Sequence, residues 1–193
     1  LSNATLAECL DLVHGIIGNP KTLTDAEAGA LYGACLRVPS GGLVVEVGCQ
    51  LGKSSAVIAR VGRDRGYRTV HIDPYTLQPD WAKGWIEMMM RVGGDWEHHF
   101  TLLCMRTEQA EWQLERFGLI DLAFIDGNHQ PEGISVDLAL VAMKIRPGGW
   151  LLCHDYEQPD YPAVHEHVEA FTSGGWDHVG TYDTLGVWRR RRG

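Results

Sequence analysis

Short apolar runs alternate along the chain with stretches in which apolar residues recur every three or four positions, and each kind of segment predicts its own element. The helical period covers residues 6–17. A second helix starts at Thr24, where Thr24-Asp25-Ala26-Glu27 has the spacing of a capping box. Residues 43–47 read as a buried strand, followed by a glycine-containing turn and a helix over 53–61. Further strands are expected at 68–72, 101–105, 119–125 and 150–154. Before the last of these, Ile134, Leu138, Val141 and Ile145 fall on one helical face that Pro147-Gly148-Gly149 ends. Such alternation predicts an α/β fold with parallel strands joined by helices. The C-terminal part changes rhythm. A helix from Pro162 buries Val164, Val168 and Phe171, and strands at 177–182 and 185–189 follow with too short a link for anything but an antiparallel hairpin.

A length of 193 residues suits a single domain, 1–193, with N-terminal helices over 1–37 and the sheet-bearing core over 38–193. No long apolar run or leader pattern appears, so a cytoplasmic protein without a membrane partner is expected. The five cysteines are widely spaced and form no Cys-x-x-Cys pair, which predicts that most of them are reduced, buried small hydrophobes. A formal charge of −8 argues against nucleic acid and for a small-molecule partner; the arginines at 189–192 read as a solvated tail.

The most informative stretch runs from Val44 to Ser55. Glycines between a buried strand and a helix let a ligand approach backbone N–H groups, and the helix N-terminus favours a negative group such as a carboxylate. Asp73, about twenty residues beyond Gly52, ends the second strand, where a carboxylate can accept hydrogen bonds from ribose hydroxyls. Together these features point to an adenosine-containing ligand. A phosphate-binding P-loop fits poorly despite Gly52-Lys53-Ser54, because Val47 stands where its first glycine would be. A dehydrogenase fits poorly too, since G-x-G-x-x-G is missing.

Glu46-Val47-Gly48 with Gly52 resembles the E-x-G-x-G-x-G motif of class I S-adenosylmethionine-dependent methyltransferases, and residues 144–149 resemble the K-x-x-P-G-G turn before their fifth strand. The resemblance implies a Rossmann-like, seven-stranded, mostly parallel sheet with a C-terminal antiparallel hairpin and helices on both faces. It also implies that Gly48 and Gly52 hold the methionine part of S-adenosylmethionine and Asp73 its ribose, with Glu46 orienting the loop or the amino group. Cys49, Ser54 and Asp126 complete the implied cofactor contacts, and Thr107 occupies a position like those near the adenine. Gln50 replaces the middle glycine, as a bulky residue does in small-molecule O-methyltransferases.

Asp126 ends the fourth strand and His154-Asp155 the fifth, at the edge where ligands bind in open α/β sheets. Adjacent strands lie about 5 Å apart, so these groups can converge to bind a divalent cation or to take a proton from an acceptor. Ile125-Asp126-Gly127-Asn128-His129, followed by P-G-G and His154-Asp155, resembles a group related to macrolide and aminocoumarin sugar O-methyltransferases. Several of those bind magnesium, which by resemblance maps onto Asp126, His154 and Asp155. Histidine in the middle leaves open whether the ion is Mg2+, another divalent cation, or none. Asp126, His129 and His154 are the catalytic candidates, His129 as general base or as a partner of the backbone. His165, His167 and the His98-His99 pair read as surface residues. Trp81, Trp85 and Met88 recur at helical spacing and read as a core face, an acceptor pocket or the contact of a homo-oligomer. A protein that binds the cofactor without catalysis is the rival reading.

Overall fold

The computed structural model describes residues 4–16, 23–76, 78–93 and 99–193, so the expected helix end at Ile17 and the expected loop residue His98 lie outside the described residues. Two helices come first, α1 (Leu6–His14) and α2 (Asp25–Cys35), and both start with a complete capping box, Thr5 with Glu8 and Thr24 with Glu27. The alternating part follows as β1 (Leu43–Val47), α3 (Lys53–Arg65), β2 (Arg68–Ile72), α4 (Asp80–Val92), β3 (Phe100–Leu103), α5 (Glu111–Phe117), β4 (Ile120–Ile125), α6 (Pro131–Leu140) and β5 (Ile145–Cys153). The chain ends with α7 (Pro162–Thr172), β6 (Trp176–Tyr182) and β7 (Leu185–Arg190).

The seven strands form one sheet in the order β3-β2-β1-β4-β5-β7-β6. Strands β1 to β5 are parallel, and β7 runs antiparallel to both β5 and β6. This is the expected Rossmann-like sheet. Strand order reverses at β1, which is flanked by β2 and β4, and the crevice beyond the carboxyl ends of β1 and β4 is where such sheets bind ligands.

Alternation along β1 sends Val45 and Val47 into an apolar layer with α5, α6 and α7, and Val44 into a layer with α1, α2 and α3. Glu46 points to the same side as Val44 and is fully buried. The expected helix face ending at Ile145 is a different structure. Helix α6 stops at Leu140, a short 3-10 turn spans Ala142–Lys144, and Ile145 already belongs to β5. Ile120 faces Ile145 while Leu122 faces Trp150, so β5 loops out residues against β4, and Gly148 takes the left-handed conformation (φ 82°) within that bulge. Among the described residues no helix is long and apolar enough to cross a membrane.

Candidate active site

The turn from β1 to α3 is shaped from below. Ser54 and Ser55 donate their hydroxyls to the two carboxylate oxygens of Glu46, the Ser55 bond being 2.5 Å, and His71 Nδ1 lies 2.5 Å from Glu46 Oε2. His71 Nε2 is 2.8 Å from Thr69 Oγ1, and the Trp85 indole N–H donates to Ser55 Oγ at 2.9 Å. Buried polar groups that satisfy one another in this way fix a unique geometry. Glu46 and Ser54 therefore hold the start of α3 against β1 and β2 from within the protein. Glu46, Cys49 and His71 also have ligand atoms within 4.8 Å of one another, but Glu46 and His71 are committed to the network just described.

Above the network the loop has the shape its glycines dictate. Gly48 has φ 82° and Gly52 φ 90°, and Gln50, in the place of the motif's middle glycine, adopts the same left-handed region at φ 46°. A Cβ on Gly48 would lie 1.9 Å from the carbonyl oxygen of Asp126. No side chain caps α3, which leaves its N-terminus open to a carboxylate-bearing ligand. Asp73 Oδ2 accepts the N–H groups of Cys49 (2.8 Å) and Gln50 (3.0 Å), and Oδ1 that of Tyr75 (2.7 Å). Asp73 thus ties the loop to β2, with lone pairs left for a further donor. The Cys49 side chain is buried, its thiol directed to the Ile72 carbonyl, and only its backbone faces the loop. Thr107 is buried beside Asp137, whose carboxyl is pushed up to about 6 by burial, against the lowering effect of the Thr107 hydroxyl and the Asn128 backbone.

Across the crevice Asp126, His154 and Asp155 converge with ligand atoms within 4.8 Å of one another. Asp155 adopts the left-handed conformation, φ 56°. His129 joins them, its Nε2 3.0 Å from Asp155 Oδ2 and 3.5 Å from Asp126 Oδ1. Tyr161 stacks on the His129 ring at 4.2 Å. His154 Nδ1 is 3.4 Å from both carboxylates. Neither His129 Nε2 nor His154 Nδ1 makes an aligned hydrogen bond, although both atoms are buried. Burial alone would lower the pKa of His129, but Asp126 and Asp155 outweigh it and push it up to about 9. Burial likewise opposes a charged His154, and Asp126, Asp155 and Glu27 together hold it well above the ordinary range.

Glu27 is the site residue that motif reasoning does not reach. It is the third residue of α2, reads as an ordinary cap, and lies 127 residues from His154, whose Nε2 it meets at 3.2 Å. Its spacing to Thr24 signals the cap; nothing in the sequence signals the second partner. Trp85 is fully buried between α4 and α3, which makes it core and not pocket lining. His165 stacks on Tyr156, and His167 is bonded to the Ala163 carbonyl.

A family model described as a methyltransferase domain matches residues 45–156, from β1 to the turn after β5. The chain belongs to this methyltransferase family. No curated protein sequence matches the methyltransferase. Solved structures do. The O-methyltransferase TomG from Streptomyces achromogenes, involved in tomaymycin synthesis and solved with S-adenosylmethionine, is 18% identical with a TM-score of 0.70, over 100% of this chain and 92% of that one. An O-methyltransferase from Bacillus cereus in complex with S-adenosylhomocysteine is 15% identical with a TM-score of 0.68, over 99% and 92%. CalS11, a TDP-rhamnose 3'-O-methyltransferase of calicheamicin biosynthesis, is 14% identical with a TM-score of 0.69, over 98% and 96%. At these identities the likeness establishes a shared fold.

Proposed function

We propose that the methyltransferase transfers the methyl group of S-adenosylmethionine to a hydroxyl oxygen of a small molecule, with a divalent cation held by Asp126, His154 and Asp155. One observation carries this reading: the glycine loop and the Asp126–His154–Asp155 cluster share a wall at the switch point of the sheet, where Gly48 packs on the Asp126 backbone. The loop, with the open N-terminus of α3 and the Asp73 carboxylate, fits the amino-acid and ribose ends of that cofactor. TomG and the Bacillus enzyme, solved with this cofactor or its product, and CalS11, named for a sugar acceptor, support the same assignment.

S-Adenosylmethionine supplies an electrophilic methyl group, and a divalent cation at the acid cluster would supply charge that lowers the acceptor's pKa and orients its oxygen. The protein's own part is positioning. Asp73 and the loop glycines fix the donor, and Asp126, set directly behind Gly48, meets the acceptor side. His129 holds its proton at neutral pH between two carboxylates, so as a free ring it is a poor acceptor of another.

The net charge of −8 favours a small-molecule acceptor over nucleic acid, and five free cysteines favour a cytoplasmic setting. Ile86 and Met90, exposed on α4, supply the apolar surface through which a homo-oligomer would form. The test is acceptor-dependent release of S-adenosylhomocysteine across a panel of phenols, sugars and hydroxy acids. Turnover with one class names the acceptor. Cofactor binding without turnover on any of them would make this a binding protein instead.

A further inference from the structure

Three residues of α6 are buried, Ile134, Asp137 and Leu138. Ile134 and Leu138 join the apolar layer that receives Val45 and Val47, and Asp137 stands between them, 4% exposed. Its Oδ2 is buried without a hydrogen-bond partner. A buried carboxyl left partly unsatisfied is less favourable than an apolar side chain in the same space, so packing gives no reason for an acid here. Its neighbours give one. The Thr107 hydroxyl and the Asn128 backbone face the carboxyl from the donor side and lower its pKa, but burial outweighs them and pushes it up to about 6. Gly127 lies directly on it, since a Cβ at 127 would sit 2.6 Å from Oδ2. Thr107 begins the 3-10 turn after β3, Thr107–Ala110, and Gly127-Asn128 belongs to the turn after β4. Those two strands stand three places apart in the sheet, yet their loops meet at Asp137.

We propose that Asp137 is a positioning residue for methyl transfer: it fixes the wall that carries Asp126 and His129 relative to the Thr107 wall, and so sets the distance between acceptor and cofactor. The inference rests on the methyl-transfer reading above and adds to it a residue that meets neither ligand. Asp126 and His129 flank Gly127-Asn128 in sequence, and Gly48 packs against the Asp126 carbonyl from the other side. The turn is thus held between the glycine loop and the Asp137 carboxyl. Groups that orient reacting molecules need rigid support of their own, and a misplacement of about 1 Å can lower the rate about 100-fold. In-line transfer between two bound molecules makes their separation the sensitive quantity. Stability and function are therefore opposed at this position. An apolar side chain would suit the layer but leave Thr107 and the turn without their common acceptor.

The test replaces Asp137 in the full-length protein by leucine, which has the same forked shape without the charge, and by asparagine, which keeps one acceptor oxygen. With whichever acceptor the panel above identifies, Asp137→Leu should lose about 10- to 100-fold in kcat, while the KM for S-adenosylmethionine changes less than about 3-fold. Its denaturant midpoint should stay close to that of wild type, and Asp137→Asn should recover part of the lost kcat. A second readout needs no turnover. Adenosine fills only the nucleoside end of the cofactor site, and its binding to wild type should shift the ring signals of His129 in nitrogen NMR through Thr107, Asp137 and Asn128. In Asp137→Leu adenosine should bind and leave those signals in place. Should that variant fail to fold, Thr107→Val, which removes the hydroxyl at the other end of the link, must abolish the shift on its own. Wild-type kcat in folded Asp137→Leu, a kcat loss that only tracks the fraction unfolded, or an unaltered His129 shift in either variant would overturn the proposal. A wild type that methylates no acceptor but shows the shift, lost in the variants, would overturn the methyl-transfer reading and leave the role of Asp137 standing. Methyl transfer without any adenosine-induced shift does the reverse.

Discussion

Gly48 and the backbone of Asp126 are in direct contact: a Cβ at position 48 would sit 1.9 Å from the Asp126 carbonyl oxygen. Loop and acid cluster are therefore one rigid corner. Gly48→Ala brings both this overlap and a φ of 82° that alanine resists, so we expect a loss of at least about 2 kcal/mol of stability. Cofactor affinity should fall with it. Thermal melting and calorimetric titration with S-adenosylhomocysteine check both effects, and a normally stable, binding-competent variant would contradict the described contact.

Asp73 accepts three backbone N–H groups, so Asp73→Ala should loosen the loop as well as remove the proposed ribose contact. A loss of about 1.5–3 kcal/mol in S-adenosylhomocysteine binding per charge-assisted bond is expected. Calorimetry on the folded variant measures it, and unchanged affinity would take Asp73 out of the site.

Trp85 belongs to the core, and Trp85→Ala should cost about 3–5 kcal/mol of stability. Trp85→Phe keeps the ring but loses the bond to Ser55, for about 0.5–1.5 kcal/mol. Denaturant midpoints separate the two variants. A stable Trp85→Ala protein with altered acceptor preference would restore the pocket reading.

The pKa of His129 is raised from 6.5 to about 9, which means that the folded state binds its proton more tightly than the unfolded chain. Its contribution is fully present below about pH 6.5 and is lost as pH rises through about 9. Since the side chain is 27% exposed, solvent screening keeps this below about 3 kcal/mol. In the presence of chelator, denaturation from pH 6 to 10 should show wild type losing stability relative to His129→Gln across that window. Parallel curves would mean that the two carboxylates do not hold the ring as described.

How much of this the sequence discloses depends on the range of the interactions involved. The β1 run, the glycine turn and the Thr24 capping box are local, and each lies where its pattern puts it. The hairpin follows from a two-residue link. The start of β5 at Ile145 is not legible, because the bulge opposite Ile120 and Leu122 exists only through pairing with β4, and apolar spacing alone extends the preceding helix. At the site, Asp126, His154 and Asp155 can be placed together because strand ends share an edge. The direction of Glu46 follows from strand alternation only once the opposite layer is known. Glu27 is the clearest gap, since its cap role is local and its contact with His154 spans 127 residues.

The Glu27 carboxylate also binds Thr184, 157 residues away in the turn between β6 and β7, and Thr24 donates to Asp183 in the same turn. The start of α2 and the β6–β7 turn therefore clasp over the His154 side of the crevice. A chain emerging from the ribosome has α2 available early, but β5 keeps an unpaired edge until β7 arrives to cover it. Completion of the crevice thus waits for β7. A nascent chain stopped before β7 would carry every motif residue and still lack the clasp that keeps His154 facing its partners.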